Sequence, residues 1–132
     1  MHQKLKAFTL TELLIVLAII GILILLALPK LMPLITKAKS TEAQLQLGHL
    51  HMLQKTYYYT HSKYTTDLDE VGYEQEKLVS EDGPANYLIE VKEAGNTGFL
   101  ATATSITDFD GDGEFNVWQI DQEKKLKEIV KD

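Results

Sequence analysis

The chain has 132 residues, a formal net charge of -6, no cysteine and 13 basic residues, every one of them lysine. That length is one domain's worth of sequence, and without cysteine no disulfide, thiolate nucleophile or cysteine metal site is available. An acidic, arginine-free chain is a poor match for a phosphate backbone, so no nucleic acid is expected among its partners. The lysines are unevenly placed. Lys4, Lys6, Lys30, Lys37 and Lys39 flank an apolar run, while acids dominate from Asp67 onward. A basic collar around a hydrophobic segment suits a membrane with anionic headgroups.

From Leu13 to Leu28 there is no charged or polar side chain, and only Ala18, Gly21 and Ala27 are not bulky hydrophobes. A secretory signal peptide would place a small-x-small cleavage site behind the run. The residues behind it are instead Pro29-Lys30-Leu31-Met32-Pro33. A plain membrane anchor fits the length, since Phe8 to Leu28 makes roughly 30 Å of helix. It does not account for Glu12. A carboxylate in an apolar helix costs on the order of 2.5–3.5 kcal/mol on insertion scales, so it marks function and calls for a cationic partner.

The stretch Lys6-Ala7-Phe8-Thr9-Leu10-Thr11-Glu12, with the apolar run behind it, resembles the prepilin leader of type IV pilins and type II secretion pseudopilins. The match covers roughly residues 4 to 29. It implies that a prepilin peptidase, which is also the methyltransferase, cuts between Ala7 and Phe8 and methylates Phe8. Family members prefer glycine before the cut, and Ala7 is the usual substitute. Glu12 then takes the place of the family's acid, which pairs with a neighbouring subunit's terminal amine during assembly. An amine and a carboxylate in a dry bundle each relieve the other's burial. Gly21 and Pro29 also fall where many type IV pilins carry them. The resemblance implies a leader at 1–7, a hydrophobic transmembrane and filament-core helix at 8–34, and a globular domain at 35–132.

Pro29 and Pro33 each lack an amide donor and clash with the preceding turn. They predict firm helix over 8–28 and a weak or extended joint over 29–34, although in the family this region stays helical before assembly and melts or kinks in the filament. Helical periodicity resumes near Leu34. Ala43, Leu47, Leu50, Leu53 and Tyr57 form an apolar stripe. Lys37, Lys39, Glu42, Gln44, Gln46, His49, Gln54 and Lys55 are expected on the other face, with Gly48 permitting a close approach. The helix is expected to fade after Tyr59.

Residues 63–85 read as a connection, with Thr66 or Asp67 capping a short turn through Leu68 and Val71 and a breaker at Ser80–Pro84. Strands are expected at Asn86–Glu93, Phe99–Ile106, Phe115–Ile120 and Leu126–Val130, the first two joined by a Gly95–Gly98 hairpin. The predicted fold class is α+β: a long amino-terminal helix, hydrophobic and then amphipathic, packed on a small antiparallel meander. That is also the pilin architecture.

Asp108, Asp110, Asp112, Glu114 and Asn116 stand at alternate positions with Gly111 and Gly113 between them. Alternate oxygens in a tight loop can converge on a hard cation, as at the start of an EF-hand. The closing bidentate position falls on Gln119 and no helices flank the loop, so this is not an EF-hand. Asp/Gly-rich turns are also common without any ion. Pseudopilins of the related family bind calcium in their carboxy-terminal region, which makes calcium the cofactor the resemblance implies.

His49 and His51 lie two apart on a helix and cannot readily share a metal, so both read as surface residues. Tyr57, Tyr58 and Tyr59 read as packing residues. No nucleophile motif, phosphate loop or paired acids suggest an enzyme. Two filament functions stand open: a type IV pilus subunit, and the major pseudopilin of a type II secretion system. A third is a membrane-tethered calcium-binding or adhesive domain that never polymerises. The filament readings imply a homo-oligomer, an assembly platform, and an inner-membrane precursor that becomes a cell-surface or periplasmic filament.

Overall fold

The computed structural model describes residues 6–132. Residues 1–5, with Lys4 and most of the expected leader, lie outside the described residues. One long helix, α1, spans Leu10–His61. It runs through Pro29 and Pro33 without interruption, so the weak joint expected over 29–34 is helix. Each proline removes one intrahelical bond and bends rather than ends a helix when strong formers continue on both sides. Leu, Ile and Ala supply those formers before Pro29. After Pro33, Leu34 to Ala38 resume them.

The chain divides between Leu34 and Ile35 into two compact units. In the first, every helical residue from Leu10 to Leu34 except Gly21 is exposed. This segment is long and apolar enough to cross a membrane.

The second unit holds the core. Ser40, Ala43, Leu47, Leu50 and Gln54 are buried along α1, spaced at the three- and four-residue steps that keep side chains on one face. Leu53 and Tyr57 pack against them from the side. Gln54 is thus a correction, because it faces the core rather than solvent. Its amide donates to the Thr65 carbonyl at 2.6 Å and accepts from the Thr65 amide at 3.2 Å, standing in for a backbone partner. The helix ends at His61, where Ser62 turns left-handed (φ 58°) and its amide reaches the Tyr58 carbonyl. In the connection after it, Asp67 caps the Leu68–Gly72 turn by accepting the Asp69 amide at 2.9 Å. A short 3₁₀ turn at Val79–Glu81 overlaps the start of the expected breaker.

Four antiparallel strands complete the chain in meander order: β1 Tyr87–Ala94, β2 Phe99–Ser105, β3 Val117–Asp121 and β4 Leu126–Val130. Ile89 pairs with Ala103, and Ala101 with Ile120. These residues, with Tyr87 and Phe99, form one buried cluster with Ala43, Leu47 and Leu50 of the helix. Small alanines in the middle of β2 leave room for the larger aliphatics around them. Glu42 fixes the start of β1 to the helix, accepting from the Asn86 amide at 2.8 Å and its side-chain nitrogen at 3.0 Å. The outer edge of β1 is met by Gln75, which donates to the Tyr87 carbonyl and accepts the Ile89 amide.

β3 starts two residues later than Phe115, where the sequence places it. Asn116 leaves the ladder to build a buried side-chain network, and its carbonyl accepts the Ser105 amide at 2.8 Å.

Candidate functional site

Two places concentrate polar chemistry outside the core: the start of α1 and the acidic loop before β3. At the helix start, Thr9 and Glu12 bond reciprocally. The Glu12 amide donates to Thr9 Oγ1 at 3.2 Å, and the Thr9 amide donates to Glu12 Oε2 at 3.2 Å. This is a capping box, in which a Thr and a Glu three residues on satisfy two of the helix's orphan amides. The spacing Thr-x-x-Glu is a local sequence signal for this cap, one that the apolar run behind it overshadows. The Glu12 carboxylate also sits at the positive end of the α1 dipole, where a negative charge is favoured. Thr9 is the one group bonded to that carboxylate among the described residues. Phe8 is 84% exposed and Ala7 is exposed, so the bond between them is accessible in the free chain. Gly21 lies mid-helix with nothing near the position a Cβ would take.

In the acidic loop, carboxylate oxygens of Asp108, Asp110, Asp112 and Asp132 lie within 4.8 Å of one another. Gly111 and Gly113 adopt left-handed backbone (φ 81° and 90°), which lets the loop curl around Asp108. Asp108 accepts the Gly113 amide at 2.6 Å and the Gly111 amide at 2.8 Å. Those amides, Gly113's first, hold its carboxyl below the usual carboxylate range. For Asp110 the Asp112 amide acts in the same direction. Desolvation and the Asp132 and Asp112 carboxylates outweigh it, so Asp110 lies above that range. Asp132 receives the Phe109 and Asp110 amides at 2.7 and 3.1 Å. Phe109 in turn packs near Tyr87, with Lys39 Nζ 6.0 Å from its ring centre, which ties the loop to the helix.

Of the five residues expected to hold a cation, Asp108, Asp110 and Asp112 converge, while Glu114 is not among the converging carboxylates. Asn116 is fully buried elsewhere. Its oxygen accepts the Tyr87 hydroxyl at 2.6 Å and the Trp118 indole N–H at 2.9 Å, and its nitrogen donates to Glu128 and to the Val130 carbonyl. With all four hydrogen-bonding positions used, it has none left for an ion. Asp132 escapes a reading by spacing because it lies twenty or more positions away in sequence, and only the β3–β4 pairing brings it back to the loop. His49 is exposed, as expected of a surface residue. His51 is not: it is half-buried and contacts the Gln122 carbonyl through Nε2 at 3.0 Å.

Residues 3–28 match the model of the prokaryotic N-terminal methylation motif. A type IV major pilin protein, PilA of Myxococcus xanthus, is 36% identical over 72 residues, an alignment covering 54% of this chain and 33% of that protein. The chain therefore spans about one third of the length of this curated relative.

Proposed function

We propose that this chain, which belongs with the type IV pilins through its amino-terminal motif, is a structural subunit that a prepilin peptidase cuts between Ala7 and Phe8 and that then polymerises through α1 into a type IV pilus filament. One observation carries the reading. From Leu13 to Leu28 the helix exposes an apolar surface, and at its mouth stands a carboxylate bonded only to its own cap among the described residues. Such a surface is stable against lipid before assembly and against other apolar helices afterwards. A carboxylate brought into that setting needs a positive partner. Cleavage creates one at Phe8, close before Glu12 in sequence, so every copy carries the amine and the acid on the same short segment.

The amine that Glu12 meets is then a neighbour's, because its own helix start is already closed by Thr9. Pro29 supplies a point at which the helix yields during packing. The precursor would reside in the bacterial inner membrane and pass through an assembly platform to a filament at the surface. The relative's description as a major pilin favours a pilus over the pseudopilus of a secretion system. The three loop carboxylates and Asp132 fit a hard cation, since oxygens in close array suit calcium and a cation would relieve their mutual repulsion. In this reading calcium pins the loop.

The test is Glu12→Ala in producing cells. The variant is expected to accumulate in the membrane at the wild-type level and to yield no sheared fibres on electron microscopy. Fibres as abundant as those of the wild type would remove the glutamate from the mechanism.

A further inference from the structure

The last turns of α1 and the connection that follows it enclose a cleft of about 180 Å³. Buried Val71 and half-buried Leu53 supply its apolar part. Tyr57 and His61 stack with ring centres 4.0 Å apart and planes 10° from parallel, which holds both rings in place. Thr56, Thr60 and Glu70 complete the lining. The cleft is smaller than a pocket for a drug-sized ligand and is of a size for one side chain.

Every hydroxyl hydrogen in this lining is already committed. Tyr57 donates to Glu70 Oε2 at 3.1 Å, Thr56 to the Met52 carbonyl at 3.1 Å, and Thr60 to the Tyr57 carbonyl at 3.0 Å. His61 Nδ1 lies 3.2 Å from the same Tyr57 carbonyl. A carbonyl has no proton to give, so Nδ1 carries one, and in the neutral ring Nε2 is a bare acceptor. Glu70 Oε2 accepts a second hydrogen, from Thr65 at 2.7 Å. Those two hydroxyls, Thr65's first, hold the Glu70 carboxyl below its usual range. Its Oε1 receives no hydrogen bond among the described residues. The lining therefore has acceptors to offer and no donor: one carboxylate oxygen, two threonine oxygens and an imidazole nitrogen. Such a set selects a ligand that only donates, and a charged donor most strongly. A single free carboxylate oxygen suits a compact ammonium, whereas a guanidinium fork calls for both.

We propose that this cleft binds a primary alkylammonium group, the chemistry shared by a lysine side chain and an aliphatic polyamine, with the stem against Leu53 and Val71 and the nitrogen on Glu70 Oε1 and the threonine oxygens. The site is complete within one copy of the chain, so it does not depend on the filament reading. The stacked rings and the twice-anchored Glu70 are in place before a ligand arrives, which lowers the cost of binding. Lys63 stands near enough for its charge to favour the Glu70 carboxylate. It lies outside the lining and makes no ion pair with Glu70 among the described residues.

The experiment titrates the full chain, held in detergent, with Nα-acetyl-lysine methylamide and separately with cadaverine, following backbone amide signals by nuclear magnetic resonance. Saturable shifts confined to Thr56–His61 and Glu70–Val71 are expected. Glu70→Gln keeps an oxygen for Tyr57 and Thr65, so it is expected to melt as the unaltered chain does and to bind about tenfold more weakly, as a charge-assisted hydrogen bond is lost. Glu76→Gln removes the same charge from an exposed position outside the lining and is expected to leave the affinity unchanged. Nα-acetyl-norleucine methylamide, which has a stem and no ammonium, is expected not to bind. The tighter of the two amines names the source, a protein's lysine or a free polyamine. No saturable shift with either amine would overturn the site. Equal weakening by Glu70→Gln and Glu76→Gln would overturn it too, assigning the binding to the overall negative charge of the chain. So would norleucine derivative binding as tightly as lysine derivative, which would leave an apolar crevice only. Should Glu70→Gln melt lower, Thr60→Val removes one acceptor at nearly constant shape, and unaltered affinity in that variant would overturn the site.

Discussion

Asn116 uses every hydrogen-bonding position of its amide at a fully buried site. The Tyr87 hydroxyl and the Trp118 indole both point at its oxygen. Burial, foremost, pushes the Tyr87 phenol well above its ordinary range, so it stays protonated and donates. Asn116→Ala would orphan both donors, each at roughly 1–3 kcal/mol. The expected loss is therefore about 4 kcal/mol, at the upper end for one substitution. Urea unfolding of the purified chain would measure it, and a loss within the range of ordinary surface substitutions would contradict this account. Such a role is not legible in the sequence, where Asn116 is one oxygen in an acidic series. Gln54 is misplaced by pattern for a related reason. Periodicity sorts residues by hydrophobicity, and a buried amide that replaces a backbone partner breaks the sorting. Thr9 differs from these two, because its capping pattern is local and complete within one turn.

At the scale of elements, local patterns carry most of the fold. The apolar stripe of α1 and the alternation in β1 and β2 are one-face signals that burial enforces, and they place the strands to within a residue or two. The continuity of α1 through Pro29 and Pro33 is not recoverable in that way. A proline's cost is local, about 3 kcal/mol, whereas helix on either side is cooperative and continues past it. The structure keeps the helix and leaves the carbonyls one turn before each proline without their usual donors. Those unpaired carbonyls interrupt the hydrogen-bond ladder of α1 locally. Pro29→Ala is expected to slow amide hydrogen exchange from Leu26 to Leu34 in detergent-held protein, as the ladder regains its missing bond. Unchanged exchange there would mean that the proline does not loosen the helix.

The whole molecule joins two surfaces of opposite character, an exposed apolar helix and an acidic head. With a net charge of -6 and no disulfide, the chain gathers the carboxylates of Asp108, Asp110, Asp112 and Asp132 in one place. Calcium is therefore expected to raise the melting temperature of the detergent-solubilised chain, and chelator to lower it again. Asp132→Asn should weaken that response, because Asp132 joins the cluster from the end of the sheet. Identical melting with calcium and with chelator would eliminate the site. The three loop acids are visible from their spacing, but the fourth requires the strand pairing to be known.

Gln75 acquires a second meaning in a polymer. Subunits packed side by side meet one another at an effective concentration far above that of free protein. A bare strand edge under such crowding is a template for unlimited edge-to-edge pairing. By occupying the Tyr87 carbonyl and the Ile89 amide with its own side chain, Gln75 withdraws two of the groups on which such a template depends. In the proposed filament, one neutral amide would thereby help to keep crowded heads as separate folds and leave growth to the helices.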